Sequence, residues 1–335
     1  MYKEVYPGIF LIKERGSLGV IKPPENIYVI AGHDGLIYDA GYGNKKTVKY
    51  TVSQIRKIEE LYKSQNKPFK INRILPSHAH PDHISGLKQL REMLGLKILT
   101  TQKTAEIIKD KESFKKFFEP NRDSMLSVSN LRRRVKDWLQ AHLWRFFYYR
   151  IYGLNFIKDL DELIEENSEI LINDEKWKIF HSPGHSPDHI SLYNEDKGLL
   201  FSGDNVLRAI TTWLGPPHCS IDDYVKSVET IQKLPNLKLI LASHGSPIEN
   251  PNERIAEILD HRKERQQQVM DLVNKNSKTG ISPSGIVNIL YPDGNIVMQS
   301  TARGWVCLTL QKLEKNRLVK RVVGKKKIMF YPLDA

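Results

Sequence analysis

The sequence of 335 residues predicts an α+β protein with a larger domain over residues 1–250 and a smaller one over residues 251–335. Short apolar runs punctuated by glycine near the N-terminus are typical of a mostly antiparallel sheet, and strand patterning returns from residue 169. Apolar residues recur with a helical period between these regions. From residue 251 the pattern changes to helices followed by two short strands. The length suits about two domains.

The larger domain is predicted to begin with strands that alternate with helices. Amphipathic helices are expected at 47–65 and 84–94, and Gly95 would end the second one. Strands are expected at four places before residue 80, namely Val5–Ile12, Ile27–Ala31, Gly35–Asp39 and Ile71–Pro76. Strand–loop–strand units then occupy residues 169 to about 248.

Residues 103–166 interrupt the strand pattern and are predicted to form a helical insertion, with helices near 103–118, 126–149 and 158–166. The part from 132 to 149 is basic and aromatic. It suits stacking on single-stranded nucleic acid, an amphipathic helix on a membrane or the wall of an acyl-substrate tunnel. The interpretation we favour is a helix hairpin that packs on the body of the protein.

The smaller domain has the element order of a winged helix. Its predicted elements are a long helix from Pro251, helices at Pro283–Leu290 and Thr301–Lys315, and strands at Leu318–Val323 and Lys327–Tyr331. Residues 266–335 carry 11 basic and 4 acidic side chains, which is +7 of the total charge of +12. Such a surface suits nucleic-acid contact, and a role in dimerisation or as a lid is equally open.

Cysteine usage and hydropathy indicate the compartment. The two cysteines, Cys219 and Cys307, exclude a disulfide scaffold and a four-cysteine zinc site, and favour a reducing cytoplasm. No apolar run approaches the ~20 residues that cross a bilayer, and the N-terminus lacks a signal-peptide pattern. We therefore expect a cytoplasmic protein, and a homo-oligomer stays open.

A dense group of metal-ligand residues follows the strand at Ile71–Pro76. His78, His80, Asp82 and His83 lie within six residues, and neutral imidazoles and carboxylates are good ligands for zinc and similar ions. Alternate side chains of one loop can face a single ion. The spacing therefore predicts a metal site at this strand end.

Three further residues repeat that placement. His185, Asp204 and His244 each follow a predicted buried strand and have Gly or Ser beside them. Strand ends gather at the edge of a sheet, where loops form sites, and small neighbours allow close approach of the backbone. Together with the first group they supply five His and two Asp residues, enough for two metals.

These residues resemble the signature of the metallo-β-lactamase-fold hydrolase superfamily, H-x-H-x-D-H followed by His, Asp and His, and the resemblance covers about residues 1–250. It implies an αββα sandwich as the catalytic domain. It also implies two divalent ions, with zinc expected and iron or manganese as alternatives. By the resemblance, His78, His80 and His185 hold one ion, and Asp204 bridges to the other. The second ion is then held by Asp82, His83 and His244.

The segments H-S-P-G-H-S-P-D-H, F-S-G-D-N and S-H-G-S-P-I resemble a narrower, lactamase-like branch related to an endoribonuclease and to glyoxalase II. Those relatives carry a winged-helix-like tail. The small members of the branch lack an insertion like the one at 103–166. The resemblance therefore does not identify the substrate.

The expected function is a binuclear metal-dependent hydrolase that uses a metal-bridging hydroxide on a small-molecule ester or thioester, or on a phosphodiester such as RNA. Asp82 is the candidate catalytic residue that orients the attacking group. The alternative is a nucleic-acid-binding regulator, or an endoribonuclease that uses the basic tail at 266–335.

Five other residues receive weaker hypotheses. Asp188 and His189 are candidates to fix the tautomer of a ligand histidine, and Asp39 resembles a supporting carboxylate behind the ligands. His218 is interpreted as a loop residue and Cys219 as a buried thiol.

Overall fold

A computed structural model describes residues 1–14, 22–119, 126–128, 143, 146–209 and 211–333 of the chain. Two sheets face each other, and helices cover their outer faces. The first sheet has seven strands in sequence order from β1 to β7, antiparallel up to β4 and parallel afterwards. Its strands are β1 (Tyr2–Tyr6), β2 (Ile9–Lys13), β3 (Asn26–Ile30), β4 (Gly35–Tyr38), β5 (Ile71–Leu75), β6 (Lys97–Thr100) and β7 (Glu162–Leu163).

The second sheet has five strands in the order β12-β11-β10-β9-β8, with one parallel pair between β11 and β12. Its strands are β8 (Glu169–Ile172), β9 (Glu175–His181), β10 (Ile190–Asn194), β11 (Leu199–Gly203) and β12 (Leu239–Ala242). β10 and β11 are buried at every residue. Both strands are therefore covered on both faces.

Aromatic side chains fill the space between the two sheets. The ring of Phe201 on β11 lies 5.1 Å from that of Tyr28 on β3 and 5.0 Å from that of Tyr38 on β4. Trp177 on β9 is fully buried against the same ring. Burial of such side chains stabilises a fold by about 2–3 kcal/mol each, so this layer fixes the mutual position of the sheets.

Helices complete the outer layers. The first sheet is covered by α1 (Lys45–Ser64) and α3 (Leu87–Leu94), which follows the short α2 (Pro81–Ile84). α6 (Ile221–Gln232) and the first half of α7 (Pro251–Lys275) cover the second sheet. The insertion contributes α4 (Gln102–Ile108), α5 (Lys111–Phe118) and a π-helical turn (Phe147–Ile151). This arrangement confirms the α+β class and the αββα sandwich.

The C-terminal part contains α8 (Pro283–Leu290), α9 (Ile296–Lys315) and the hairpin of β13 (Val319–Val323) with β14 (Ile328–Pro332). The elements follow the predicted order, whereas the winged-helix identity and the division at residue 250 stay predictions. α7 connects the two parts, because Ile255 and Ile258 pack on the sandwich and Val269 and Val273 pack in the C-terminal core.

α9 also contacts the sandwich directly. Lys312 pairs with Asp222 of α6 at 2.8 Å. The backbone of Gly304 lies so close to Leu214 and Gly215 that an added Cβ would be 3.1 Å from the Gly215 Cα atom. The C-terminal part therefore contacts the loop at 213–219.

Two elements that were predicted as single are each divided in two in the structure. The strand predicted at Val5–Ile12 is a hairpin of β1 and β2, because Gly8 adopts a left-handed φ of 80° and turns the chain. The single helix predicted at 103–118 is two helices. Asp110 ends the first one by accepting the Ser113 N–H as the N-cap of the second.

The prediction of a helix at 158–166 is also wrong, because this segment extends the first sheet. Asp161 accepts hydrogen bonds from the Ile98 N–H and from Arg91, and β7 pairs with β6. The helix predicted at 126–149 falls mainly outside the described residues. Within the described residues, no helix has the length and apolar composition needed to cross a bilayer.

Candidate metal centre

The seven ligands predicted from the sequence all lie at one edge of the sandwich, in the segments that follow four different strands, with Asp82 and His83 in α2. His78, His80, Asp82 and His83 come after β5, and His185 comes after β9. Asp204 comes directly after β11, and His244 lies two residues after the end of β12. The structure brings the donor atoms together in two pockets, which we call the imidazole pocket and the carboxylate pocket.

The imidazole pocket consists of His78, His80 and His185, whose donor atoms lie within 4.8 Å of one another. His185 donates its Nδ1–H to the Trp213 carbonyl at 2.9 Å, so its Nε2 carries a lone pair. That Nε2 is 2.9 Å from His80 Nδ1. His78 Nδ1 is 3.0 Å from the Ser77 hydroxyl, and its Nε2 is buried without a hydrogen bond. Three ring nitrogens thus converge on one position.

The carboxylate pocket consists of Asp82, His83, His244 and a residue absent from the sequence motif, Glu25. His244 Nε2 is 3.6 Å from Asp82 Oδ2 and 3.2 Å from Glu25 Oε2. His83 Nε2 is buried and makes no hydrogen bond. Two imidazoles and two carboxylates therefore surround the second position.

Asp204 lies between the pockets and faces both. Its Oδ2 is 3.4 Å from His185 Nε2, and its Oδ1 is 3.5 Å from His244 Nε2 and 3.8 Å from His83 Nε2. Gly203 before it has a φ of 52°, and a side chain there would collide with the His189 ring. The glycine thus lets the backbone turn Asp204 into the gap.

Electrostatics differ between the pockets. Burial, reinforced by the neighbouring imidazoles, holds the pKa values of His78 and His80 well below the usual value. Burial likewise lowers the pKa of His185, although Asp204 opposes the shift. These three rings are therefore neutral near pH 7, the form that binds a metal.

In the carboxylate pocket, the neighbouring charges outweigh the effect of burial on the histidine pKa values. Burial lowers the pKa values of His83 and His244, but the surrounding carboxylates, led by Glu25, outweigh it and raise both well above the usual value. Burial raises the pKa of Asp204, yet His244 and His83 bring it well below its usual range. Burial raises the pKa of Glu25. The excess of carboxylate charge makes this pocket attractive to a cation.

The buried donor atoms fit a pair of divalent ions. Atoms that are buried without a hydrogen bond include His78 Nε2, His83 Nε2, Asp204 Oδ1 and both oxygens of Glu25. Leaving a buried polar atom unsatisfied costs about 1–3 kcal/mol, and more for a charged one. Ions at the two positions would satisfy these atoms together. Imidazole and carboxylate donors suit zinc, iron and manganese.

Asp39 lies directly behind the ligands. Its Oδ2 is 3.0 Å from His83 Nδ1 and accepts the Ser243 hydroxyl at 2.6 Å, and its Oδ1 accepts the Ser77 N–H at 2.7 Å. His83 therefore donates its Nδ1–H to Asp39 and turns Nε2 toward the pocket. Asp39 also ties together the loops that follow β5 and β12.

Asp188 and His189 support backbone atoms instead of ligand rings, unlike the tautomer role hypothesised for them. Asp188 Oδ2 accepts the Ala79 N–H and the Thr104 hydroxyl, each at 2.8 Å. His189 Nε2 accepts the Asp204 N–H at 3.1 Å. The two residues thus position the main chain that carries His80 and Asp204.

Sequence reasoning missed Glu25 and assigned His218 only to a loop. His218 Nε2 lies 3.4 Å from His80 Nε2, and its ring stacks on Phe117 at 4.4 Å. Burial lowers the pKa of His218 to about 4, so the ring is neutral and can accept the His80 Nε2–H. Cys219 is buried, as expected, and donates its thiol to the His185 carbonyl.

A two-sheet sandwich with paired donor pockets at one edge defines a class of metal-dependent hydrolases. The chain belongs to the metallo-beta-lactamase superfamily, whose family profile matches residues 21–244.

Curated relatives agree with this membership. Beta-lactamase-like protein 2 homolog of Caenorhabditis elegans is 29% identical over 156 residues, which cover 47% of this chain and 50% of that protein. The chain thus spans about half the length of that relative. Human acyl-coenzyme A thioesterase MBLAC2 is 25% identical over 244 residues, which cover 71% of this chain and 77% of that protein.

Solved structures share the fold over nearly the whole chain. A beta-lactamase domain protein from Burkholderia ambifaria has a TM-score of 0.74 at 20% identity and covers 99% of this chain and 93% of its own. A metallo-beta-lactamase family protein from Thermus thermophilus has a TM-score of 0.71 at 16% identity, and covers 98% of this chain and 100% of its own.

Proposed function

We propose that the chain is a hydrolase that works with two divalent ions, one in each pocket, with Asp204 between them. The observation that carries this proposal is the position of Asp204, whose two oxygens face His185 Nε2 at 3.4 Å and His244 Nε2 at 3.5 Å. A carboxylate placed in this way can bridge cations about 3.5–4 Å apart, as two-metal hydrolases require. Zinc is the ion that we propose for the imidazole pocket.

The residues at the pocket mouth would direct the reaction. Ions bound there would supply Lewis acidity and lower the pKa of a water molecule toward neutrality. The Asp82 carboxylate is 17% exposed and so can also reach the attacking water, accept its proton in a hydrogen bond and fix its direction. Asp39 and the Trp213 carbonyl keep His83 and His185 in the tautomer that binds metal.

The substrate class that we propose is an acyl thioester or a related ester. The similarity to a human protein named as an acyl-coenzyme A thioesterase supports this choice. Aromatic rings beside the imidazole pocket also support it. The Phe118 ring lies 5.5 Å from that of His80 and packs on Phe114 at 4.5 Å. An apolar surface next to the ions suits an acyl chain.

A cavity of about 310 Å³ lies beside these rings, and its lining includes Ile107, Phe117 and Pro187. Its size matches the lower end of small-molecule sites. We propose that the acyl chain enters along this wall, so that its carbonyl carbon reaches the ions.

Turnover of a substrate panel tests the proposal. The full chain is demetallated, reloaded with Zn²⁺ or Mn²⁺ and assayed on acyl-CoA thioesters, aryl esters, a phosphodiester and single-stranded RNA. The expected result is metal-dependent hydrolysis that is fastest with a thioester. A chain that binds two ions and turns over none of these compounds would refute the enzyme proposal.

A nucleic-acid substrate or ligand is the second candidate, favoured by the charge of the C-terminal part. The turn between β13 and β14 exposes Lys325, Lys326 and Lys327, and phosphate contact with such lysines gives a steep salt dependence. Binding of the full chain to RNA and DNA at about 50 and 200 mM salt tests this candidate. Binding that is absent or indifferent to salt would exclude it.

A further inference from the structure

Glu25 is buried in the carboxylate pocket without an ordinary partner. It precedes β3, its side chain is fully inaccessible to solvent, and neither carboxylate oxygen makes a hydrogen bond. Oε1 lies 3.3 Å from His83 Nδ1, and Oε2 lies 3.2 Å from His244 Nε2. A buried carboxylate is expensive unless a cation or several donors satisfy it, so this position requires an explanation.

In the neutral form that binds a metal, the neighbouring histidines direct no hydrogen at Glu25. His244 Nδ1 lies 2.9 Å from the Pro24 carbonyl and must donate its proton there. His244 Nε2 then presents a lone pair to Glu25 Oε2. The Nδ1–H of His83 is directed to Asp39 at 3.0 Å, nearer than Glu25. The lone pairs of His244 Nε2 and Glu25 Oε2, 3.2 Å apart, repel each other unless a proton or a metal ion lies between them.

We propose that Glu25 is a fourth protein ligand of the ion held by Asp82, His83 and His244. This inference rests on the proposed two-ion function and extends it. The pocket then offers two imidazoles and two carboxylates, beside a neighbouring pocket of three imidazoles. Since carboxylates favour harder ions, the carboxylate pocket prefers Mn²⁺ or Fe²⁺ relative to the imidazole pocket.

The backbone around Glu25 is held in place on both sides. Its carbonyl accepts the Glu14 N–H at 2.8 Å, and the Asn26 N–H donates to the Ser243 carbonyl at 2.8 Å. The Pro23 carbonyl accepts the Tyr42 hydroxyl at 2.8 Å. Because Ser243 precedes the ligand His244, the same contacts fix both donors relative to each other. The carboxylate is therefore aimed into the pocket before any ion binds.

Glu14 is a useful comparison, because it is also buried but forms an ion pair with a lysine. It is 2% exposed, and its Oε1 accepts from Lys22 Nζ and from the Thr47 hydroxyl, each at 2.9 Å. The chain thus supplies a positive partner to this buried glutamate. For Glu25 the described residues offer only the two imidazoles, which points to an ion from outside the chain.

Metal titration of the full chain tests the inference, with Glu14→Gln as the matched control for Glu25→Gln. The amide that Glu25→Gln introduces keeps the shape of the side chain and can still hydrogen-bond to His244 Nε2, so a merely orienting role would survive. Each protein is demetallated and titrated with Mn²⁺ and Zn²⁺ against a competing chelator, and bound metal is counted by elemental analysis.

In the wild type and in Glu14→Gln we expect two ions per chain. In Glu25→Gln one ion is expected to bind about tenfold or more weakly, with the larger loss for Mn²⁺, and the other is expected to be unchanged. Wild-type affinity for both ions in Glu25→Gln would overturn the inference. A wild-type chain that never takes up two ions would instead overturn the proposed function.

If Glu25→Gln does not fold, the same titration on Glu25→Asp decides. The shorter side chain keeps the charge but withdraws the carboxylate by one methylene. Weaker binding of one ion supports ligation, and unchanged binding of both overturns it.

Discussion

The imidazole pocket and the carboxylate pocket lie at one edge of the same sandwich, yet their electrostatics are opposite. In the imidazole pocket, burial and neighbouring rings lower the pKa values of His78 and His80. In the carboxylate pocket, the acidic neighbours raise the pKa values of His83 and His244. Neutral rings hold a soft ion without competition from protons, whereas the acidic pocket attracts any cation. One fold thus offers two chemically different positions, joined by Asp204.

The two pockets also differ in how their ligands are oriented. In the imidazole pocket, a main-chain carbonyl and a hydroxyl fix His185 and His78. In the carboxylate pocket, the carboxylate of Asp39 fixes His83. A negative group behind a ligand increases its basicity. The comparison therefore predicts that single substitutions will affect the two positions unequally.

The largest effect is expected from Asp204→Asn, because Asp204 is shared. The neutral amide keeps the shape but cannot neutralise two cations, so both ions should bind more weakly and turnover should fall by orders of magnitude. Elemental analysis after dialysis and a thioester assay measure the two effects. Loss of only one ion would show that Asp204 belongs to a single pocket.

Substitution within one pocket should remove one ion and leave the other. His80→Ala is expected to empty the imidazole pocket, and His244→Ala the carboxylate pocket, each with turnover reduced by orders of magnitude. Zinc and manganese titrations of the two variants, side by side, identify which ion is lost. If either variant keeps a full metal complement and normal activity, the ligand assignment is wrong.

A smaller effect is expected from His218→Ala, which affects only the imidazole pocket. Loss of the acceptor for the His80 Nε2–H should lower the affinity of the imidazole pocket for its ion by about 10- to 100-fold. Other supporting partners of metal ligands have effects of this size. Chelator competition measures this, and His261→Ala, at a half-buried position of α7, is the control. Equal weakening of both ions would argue against a contact specific to His80.

The smallest effect is expected from Phe118→Ala, which removes part of the aromatic wall beside the imidazole pocket. Loss of apolar contact of about 1–2 kcal/mol should lower kcat/KM roughly tenfold for long acyl thioesters and little for acetyl thioesters. Phe69→Ala, whose ring packs on Tyr62, is the control. A loss of kcat/KM that does not depend on the length of the acyl chain would show that the aromatic wall does not bind this chain.

The meeting of the seven candidate ligands was predictable from the sequence, because each of them follows a strand in a short local motif. Residues at the ends of neighbouring strands must meet at a sheet edge, so local patterns suffice. The sandwich layers were predictable from the family resemblance, and the full burial of β10 and β11 between layers agrees with it.

Glu25 and His218 were not predictable in this way. Glu25 stands alone before β3 and lies close to His244, which is far from it in sequence. His218 lies close to His80, 138 residues away. The signal available for Glu25 was an acidic residue directly before a strand that is buried at every position. The break between α4 and α5 was missed for a different reason, since a single Asp110 cap decides it.

The central claim, that two ions lie on either side of Asp204, is tested most directly by anomalous diffraction from crystals of the full chain grown with Zn²⁺ or Mn²⁺. We predict two anomalous peaks about 3.5–4 Å apart, one among His78, His80 and His185 and the other bounded by Asp82, His83 and His244. A single peak, or two peaks that Asp204 does not contact, would contradict the account.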